Sequence, residues 1–178
     1  DVCGVDEGVS QALVRDMALD TNGYIWLATK DGLNRYDGVD FEVFRNILGV
    51  PNSLAESNVS RLLVDQGGTL WCQTNLNGIA RFRPETEDFE NISVSNKLNS
   101  NAISRIRQGL EGYIIVDYHD GAEAQALRVD PITDEIIVHD IHEVYPGLRA
   151  TSNCTGSSKA AAADVFKHGF DASSDGSI

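Results

Sequence analysis

Asp20-Thr21-Asn22-Gly23-Tyr24-Ile25-Trp26-Leu27-Ala28-Thr29 decides the fold of this chain, because the stretch returns further along in recognisable form. Asp65-Gln66-Gly67-Gly68-Thr69-Leu70-Trp71-Cys72-Gln73-Thr74 repeats it at an offset of 45 positions, with Asp, Gly, Trp and Thr all in register. A third copy, Ile103-Ser104-Arg105-Ile106 and then Gly112-Tyr113-Ile114-Ile115, stands 44 positions beyond the second. A fixed period of this length marks a repeat architecture in which each unit buries its apolar face against the next.

Working outward, each copy is preceded and followed by the same pattern. The apolar segment Val14 to Leu19 corresponds to Val59 to Val64. Downstream, Gly32-Leu33-Asn34-Arg35-Tyr36 corresponds to Gly78-Ile79-Ala80-Arg81-Phe82, and Ala126-Leu127-Arg128-Val129 to both. Phe41-Glu42-Val43-Phe44, Phe89-Glu90-Asn91-Ile92 and Ile136-Ile137-Val138-His139 close the three units. The apolar runs are short and bounded by Asn-Gly, Gly-Gly, Asp-Gly or Glu-Gly, which is the chemistry of strands joined by tight hairpins. In the second strand Tyr24, Trp26 and Ala28 face one way and Ile25 and Leu27 the other, so both faces are apolar. A strand buried on both faces belongs to a small sheet sandwiched between two others.

Four strands per unit without helical periodicity predict an all-β chain built of β-propeller blades. The expected divisions are a lead-in at 1–8, blade one at 9–46, blade two at 47–93 and a divergent blade three at 94–142. The stretch 143–178 is expected to hold an inserted loop and the start of a truncated fourth blade. A propeller closes with about four to eight blades, so three and a fraction predict an incomplete one.

The first copy, from Asp20 through Thr29 to Lys30-Asp31-Gly32-Leu33-Asn34-Arg35-Tyr36-Asp37-Gly38, resembles the two-component regulator propeller repeat. Gly8-Val9-Ser10-Gln11 resembles the entry to the first blade of that family. The third copy departs from the pattern, with Ile115 at the Trp position and no Gly-Leu before Arg128. The resemblance implies the periplasmic, ligand-sensing part of a membrane-bound bacterial sensor. In that family two propellers often precede an immunoglobulin-like domain, a transmembrane helix and a cytoplasmic output. The output is commonly a histidine kinase fused to a response regulator, sometimes a diguanylate cyclase. Many such sensors in gut Bacteroides respond to oligosaccharides, and a homodimer of the full-length protein is implied as well.

Composition narrows the partners. Of 178 residues 42% are hydrophobic and 23% charged, as in ordinary globular proteins, and the formal net charge of −13 repels polyphosphates. No basic patch occurs, so nucleic acid is not an expected partner, nor is membrane contact from this segment. Cys3, Cys72 and Cys154 are too widely spaced for a zinc site or a disulfide framework, and Cys72, inside an apolar run, reads as a small buried hydrophobe.

No catalytic residue and no cofactor is expected for this segment, although the resemblance makes the full-length protein a kinase. Asp20-x-Asn22-Gly23 has a calcium-loop flavour, but Gly falls at the fourth position and Asp31 at the twelfth, against Gly sixth and Glu twelfth in an EF-hand. The same turn resembles the structural Asp-box hairpins of sialidases. Glu85, Glu87, Asp88, Asp134 and Glu135 lie in turns, where charge runs are solvated faces. His139 and His142, three apart, do not suggest a metal site.

Trp26, Trp71, Arg35, Arg81 and Arg128 recur at fixed places in the unit and are therefore expected to serve the recurring contact between blades. Binding residues are better sought where the copies differ. At the start of the first strand of each blade, by the mouth of the central channel, stand Arg15 and Asp16, Ser60 and Arg61, and Ser104 and Arg105. A polar ring there could hold a hydroxyl-rich or anionic small molecule. An extracellular propeller hydrolase or lyase acting on polysaccharide, and a structural or protein-interaction propeller, are the alternative functions.

Overall fold

Twelve strands form three antiparallel sheets of four in the computed structural model, which describes residues 8–75, 78–93, 103–109, 112–119, 124–133 and 135–140. The first sheet holds β1 (Asp16–Leu19), β2 (Ile25–Thr29), β3 (Gly32–Tyr36) and β4 (Phe41–Phe44). The second holds β5 (Val59–Val64), β6 (Leu70–Thr74), β7 (Gly78–Arg83) and β8 (Asp88–Ser93). The third holds β9 (Ile103–Gln108), β10 (Ile114–His119), β11 (Ala124–Val129) and β12 (Ile136–Asp140). In each, sequence neighbours are spatial neighbours, the up-and-down meander of a propeller blade. The expected inserted loop and start of a fourth blade, at 143–178, fall outside the described residues.

Hairpin geometry follows from the recurring glycine. Gly23, Gly68 and Gly112 have φ of 89°, 84° and 83°, a region other residues enter only at a cost. The backbone bonds Asp20 N to Tyr24 O, Asp65 N to Thr69 O and Gly109 N to Tyr113 O, at 3.0, 3.0 and 2.8 Å, close the same turn three times.

Contacts between neighbouring sheets concentrate on their first strands: β1 and β2 meet β5, and β5 meets β9. The sheets therefore fan out from the side carrying β1, β5 and β9, as blades do from a propeller axis. Two apolar clusters fill the seams. Trp26, Ala28 and Leu33 of blade one pack with Val59, Leu70, Cys72, Phe82 and Phe89 of blade two. Trp71, Ile79 and Ile92 of blade two pack with Ile106, Ile114, Val116, Leu127 and Val129 of blade three. Both tryptophans are fully buried, as their recurrence in the unit implied.

The seams use the same places with different side chains. Around Trp26 the first seam gathers Phe44, Phe82 and Phe89, with ring centroids 4.9–5.7 Å apart. Around Trp71 the corresponding positions carry Ile92, Val129 and Ile136. Cys72 lies in the first seam, 1% exposed, and burial pushes its thiol up to about 12.

Candidate functional site

Aspartate and tryptophan of the recurring stretch act as one unit. Asp20 Oδ1 accepts from the backbone N–H groups of Asn22 and Tyr24 at 2.9 and 3.0 Å, and Oδ2 from the Trp26 indole at 2.8 Å. Asp65 does the same for Thr69 N–H at 2.9 Å and the Trp71 indole at 2.8 Å. Both carboxylate oxygens of Asp20 thus serve the fold. In blade three the pair is replaced as a pair: Gly109 stands at the aspartate position and Ile115 at the tryptophan position. A Cβ on Gly109 would lie 2.7 Å from Ile115 Cγ1, so the isoleucine occupies the space that the missing side chain leaves.

The recurring arginines are scaffold as well. Arg35 opposes Glu42 across β3 and β4 and bonds it at 2.5 Å, and it reaches Glu87 of the next blade at 2.7 Å. Its guanidinium lies 4.9 Å from the Tyr24 ring centroid and 5.7 Å from that of Trp26. Burial lowers its affinity for the proton, but the hydrogen bond to Glu87 and the charge and hydrogen bond of Glu42 outweigh this and hold Arg35 above its ordinary value. Arg81 repeats the scheme with Glu90 at 2.8 Å, the carbonyl of Pro131 in blade three, and the Trp71 ring at 5.8 Å. Arg128 lies over Tyr113 at 3.3 Å.

The residues expected at the channel mouth divide. Arg15 Nη1 donates to Asn58 Oδ1 at 2.8 Å, and Asp16 Oδ2 accepts from the backbone N–H of Leu62 at 2.9 Å, so both tie blade one to blade two. Ser60 donates to the carbonyl of Gln73 at 3.2 Å within its own blade. Arg61 and Arg105 are exposed, at cross-strand places opposite Gln73 and Asp117. The side chain of Ser104 lies outside the described residues. Only Arg61 and Arg105 of the six are thus described as exposed side chains, and they sit on neighbouring blades.

Sequence reasoning missed the groups that join blade two to blade three. Gln73 Nε2 donates to the carbonyl of Ile103 at 2.9 Å, and Gln108 Oε1 accepts from the N–H of Gln66 at 2.7 Å. Each occurs in one blade only, so no repeat announces it. It also missed a cleft of about 520 Å³ between blades one and two, at the end bearing the β1–β2 and β7–β8 turns. Thr21, Asn22, Tyr24, Arg35, Glu85 and Glu87 are among its lining residues. By strand register this is the end of β1 away from Arg15 and Asp16. Among the described residues no group of three His, Cys, Asp or Glu side chains could hold a metal ion.

No protein-family model matches the chain. Forty residues are 45% identical to a histidine kinase of Formosa agariphila, a match over 22% of this chain and 3% of that protein. In structure the chain is similar to the extracellular domain of a hybrid two-component system from Bacteroides thetaiotaomicron, with a TM-score of 0.68 and 20% identity over 84% of this chain and 21% of that one. It is also similar to a catalytically inactive virginiamycin B lyase from Staphylococcus aureus, with a TM-score of 0.56 and 20% identity over 72% and 41% of the two chains. This chain spans less than half the length of each of these proteins. Its three blades have the β-propeller fold found in the extracellular domain of the Bacteroides two-component system, in keeping with the repeat its first unit resembles.

Proposed function

We propose that the chain is part of the ligand-sensing propeller region of a transmembrane hybrid two-component sensor, lies outside the cytoplasm, in the periplasm, and responds to oligosaccharides. Two sequence likenesses carry the reading. The unit that specifies the blade resembles the regulator propeller repeat, and a 40-residue stretch of the chain is 45% identical to a histidine kinase. The likeness in fold to an extracellular two-component domain is compatible with it, and the likeness to a lyase shows that the same fold also carries catalysis.

The arrangement of charged groups favours sensing over catalysis. Arg35, Arg81 and the carboxylates of Asp20 and Asp65 are engaged in hydrogen bonds that hold turns and seams together. In this reading the ligand shifts the relative arrangement of paired sensor domains in a homodimer by binding one arrangement more tightly than the other. The kinase output, the dimer and the ligand class belong to the proposal. Calorimetry of the full chain against a panel of oligosaccharides tests it. Saturable binding without turnover of the sugar is expected, whereas cleavage of a labelled polysaccharide would favour the hydrolase or lyase alternative, and the absence of any binding the structural one.

A further inference from the structure

The cleft between blades one and two is the feature that the scaffold roles do not absorb. Its volume of about 520 Å³ lies within the range of small-ligand sites, roughly 300–1,000 Å³. Its walls come from two blades, and several of its rim side chains differ from one blade to the next. Thr21 and Asn22 are replaced in blade two by Gln66 and Gly67, and Glu85 in blade three by Ile132. Thr21 and Asn22 are exposed at the rim, and Tyr24 and Arg35 are half-buried.

Arg35 would ordinarily make such a cleft attractive to a carboxylate or sulfate, because a planar guanidinium recognises these groups with two parallel hydrogen bonds. Here its Nη2 is already shared between Glu42 at 2.5 Å and Glu87 at 2.7 Å. Glu87 reaches it from the neighbouring blade, and does so from a backbone with φ of 52°. A non-glycine residue held in that left-handed region points to a local role for its side chain. With Asp20, Glu85 and Glu87 against one arginine, the lining is net negative.

We propose that this cleft is a subsite for an uncharged, hydroxyl-rich ligand, and that Glu87 sets this preference by occupying Arg35 and so excluding carboxylated sugars. The inference rests on the sensing role proposed above and adds to it a place and a charge class. Amide, hydroxyl and phenol groups at the rim supply the donors and acceptors that sugar hydroxyls need. The chain's net charge of −13 works in the same direction.

The test is calorimetry on the full chain with maltotetraose, cellotetraose, xylotetraose and laminaritetraose on one side and tetragalacturonate on the other. At least one neutral sugar binds and tetragalacturonate does not. Asn22→Trp, which fills the cleft from an exposed turn, weakens neutral-sugar binding at least about tenfold, while Lys30→Ala, in the exposed β2–β3 turn at the opposite end of the blade, leaves it within about twofold. Glu87→Gly removes the carboxylate at a φ that glycine accepts, and brings tetragalacturonate binding in protein that circular dichroism shows to be folded. Equal binding by Asn22→Trp and the parent, tighter binding of tetragalacturonate than of neutral sugars by the parent, or no gain in Glu87→Gly overturns the inference. Loss of binding in Arg61→Ala, at the expected channel mouth, but not in Asn22→Trp overturns the cleft and leaves the sensing role standing. Failure of all five sugars to bind overturns the oligosaccharide reading itself.

Discussion

Removing Asp65 tests whether the aspartate–tryptophan clasp specifies the blade. Asp65→Ala deletes the acceptor of the buried Trp71 indole, bonded at 2.8 Å, and of Thr69 N–H, bonded at 2.9 Å. Trp71 is fully buried and Asp65 only 9% exposed, so water does not readily replace the lost partner. A hydrogen bond to a charged group is worth about 1.5–3 kcal/mol, and a buried donor left without a partner costs about 1–3 kcal/mol. We expect a destabilisation of about 2–4 kcal/mol, which for a chain of this size lowers the melting temperature by about 5–15 °C. Trp71→Phe removes the indole N–H and leaves a small void, costing about 1–2 kcal/mol. With Phe at 71 there is no donor to orphan, so Asp65→Ala then costs less, and the cycle shows a coupling of about 1–2 kcal/mol. Urea unfolding of the four proteins, followed by circular dichroism, measures it. Additive effects, within about 0.5 kcal/mol, would refute the reasoning and make aspartate and tryptophan separate contributors.

The third blade supplies the converse. Gly109→Ala places a Cβ 2.7 Å from Ile115 Cγ1; we expect a loss of about 1–3 kcal/mol that Ile115→Ala largely relieves in the double variant, read by the same unfolding curves. Asp88 is held below the usual carboxylate range by its hydrogen bonds from Arg83 and Thr86, and Asp37 and Asp130 by turn amides. A depressed carboxylate stabilises the fold above its unfolded value and ceases to as pH falls through its folded one. Melting temperature should therefore hold between pH 7 and about pH 4 and decline below, with a shallower acid limb in Asp88→Asn. The Cys72 thiol, pushed up to about 12 by burial, should resist Ellman's reagent at pH 8 in native protein and react on unfolding in guanidinium. Rapid labelling of Cys72 without unfolding would contradict its burial.

Much of the fold was legible because a propeller writes its architecture repeatedly. The turn glycines, the paired Asp and Trp and the seam arginines recur at nearly constant spacing, and a recurring residue announces a recurring contact. Blade three was harder to read because its two substitutions, Gly109 and Ile115, make sense only together. The candidate site was much less legible. Arg15 and Asp16 differ between blades as ligand-binding residues would, yet they differ because each seam is fastened in its own way. Polar variation along a strand does not by itself separate a fastening from a binding group. The cleft gave no signal because Thr21, Asn22, Glu85 and Glu87 come together only when two turns far apart in sequence are stacked.

The unlike seams have a consequence for assembly. Blade one meets blade two through Asp16, Arg15 and the Arg35–Glu87 pair, whereas blade two meets blade three through Gln73, Gln108 and Arg81 on Pro131. Chains made of look-alike modules run the risk that a module docks on the wrong partner, or on a sister molecule, while folding. Phenylalanines in one joint and aliphatic side chains in the other, each with its own polar fasteners, act as address labels. They make the order of the blades a property of their surfaces as well as of the peptide that links them. Transplanting β1 to β4 into the place of β5 to β8 would therefore be expected to leave mismatched seams and a chain that no longer unfolds in one cooperative step.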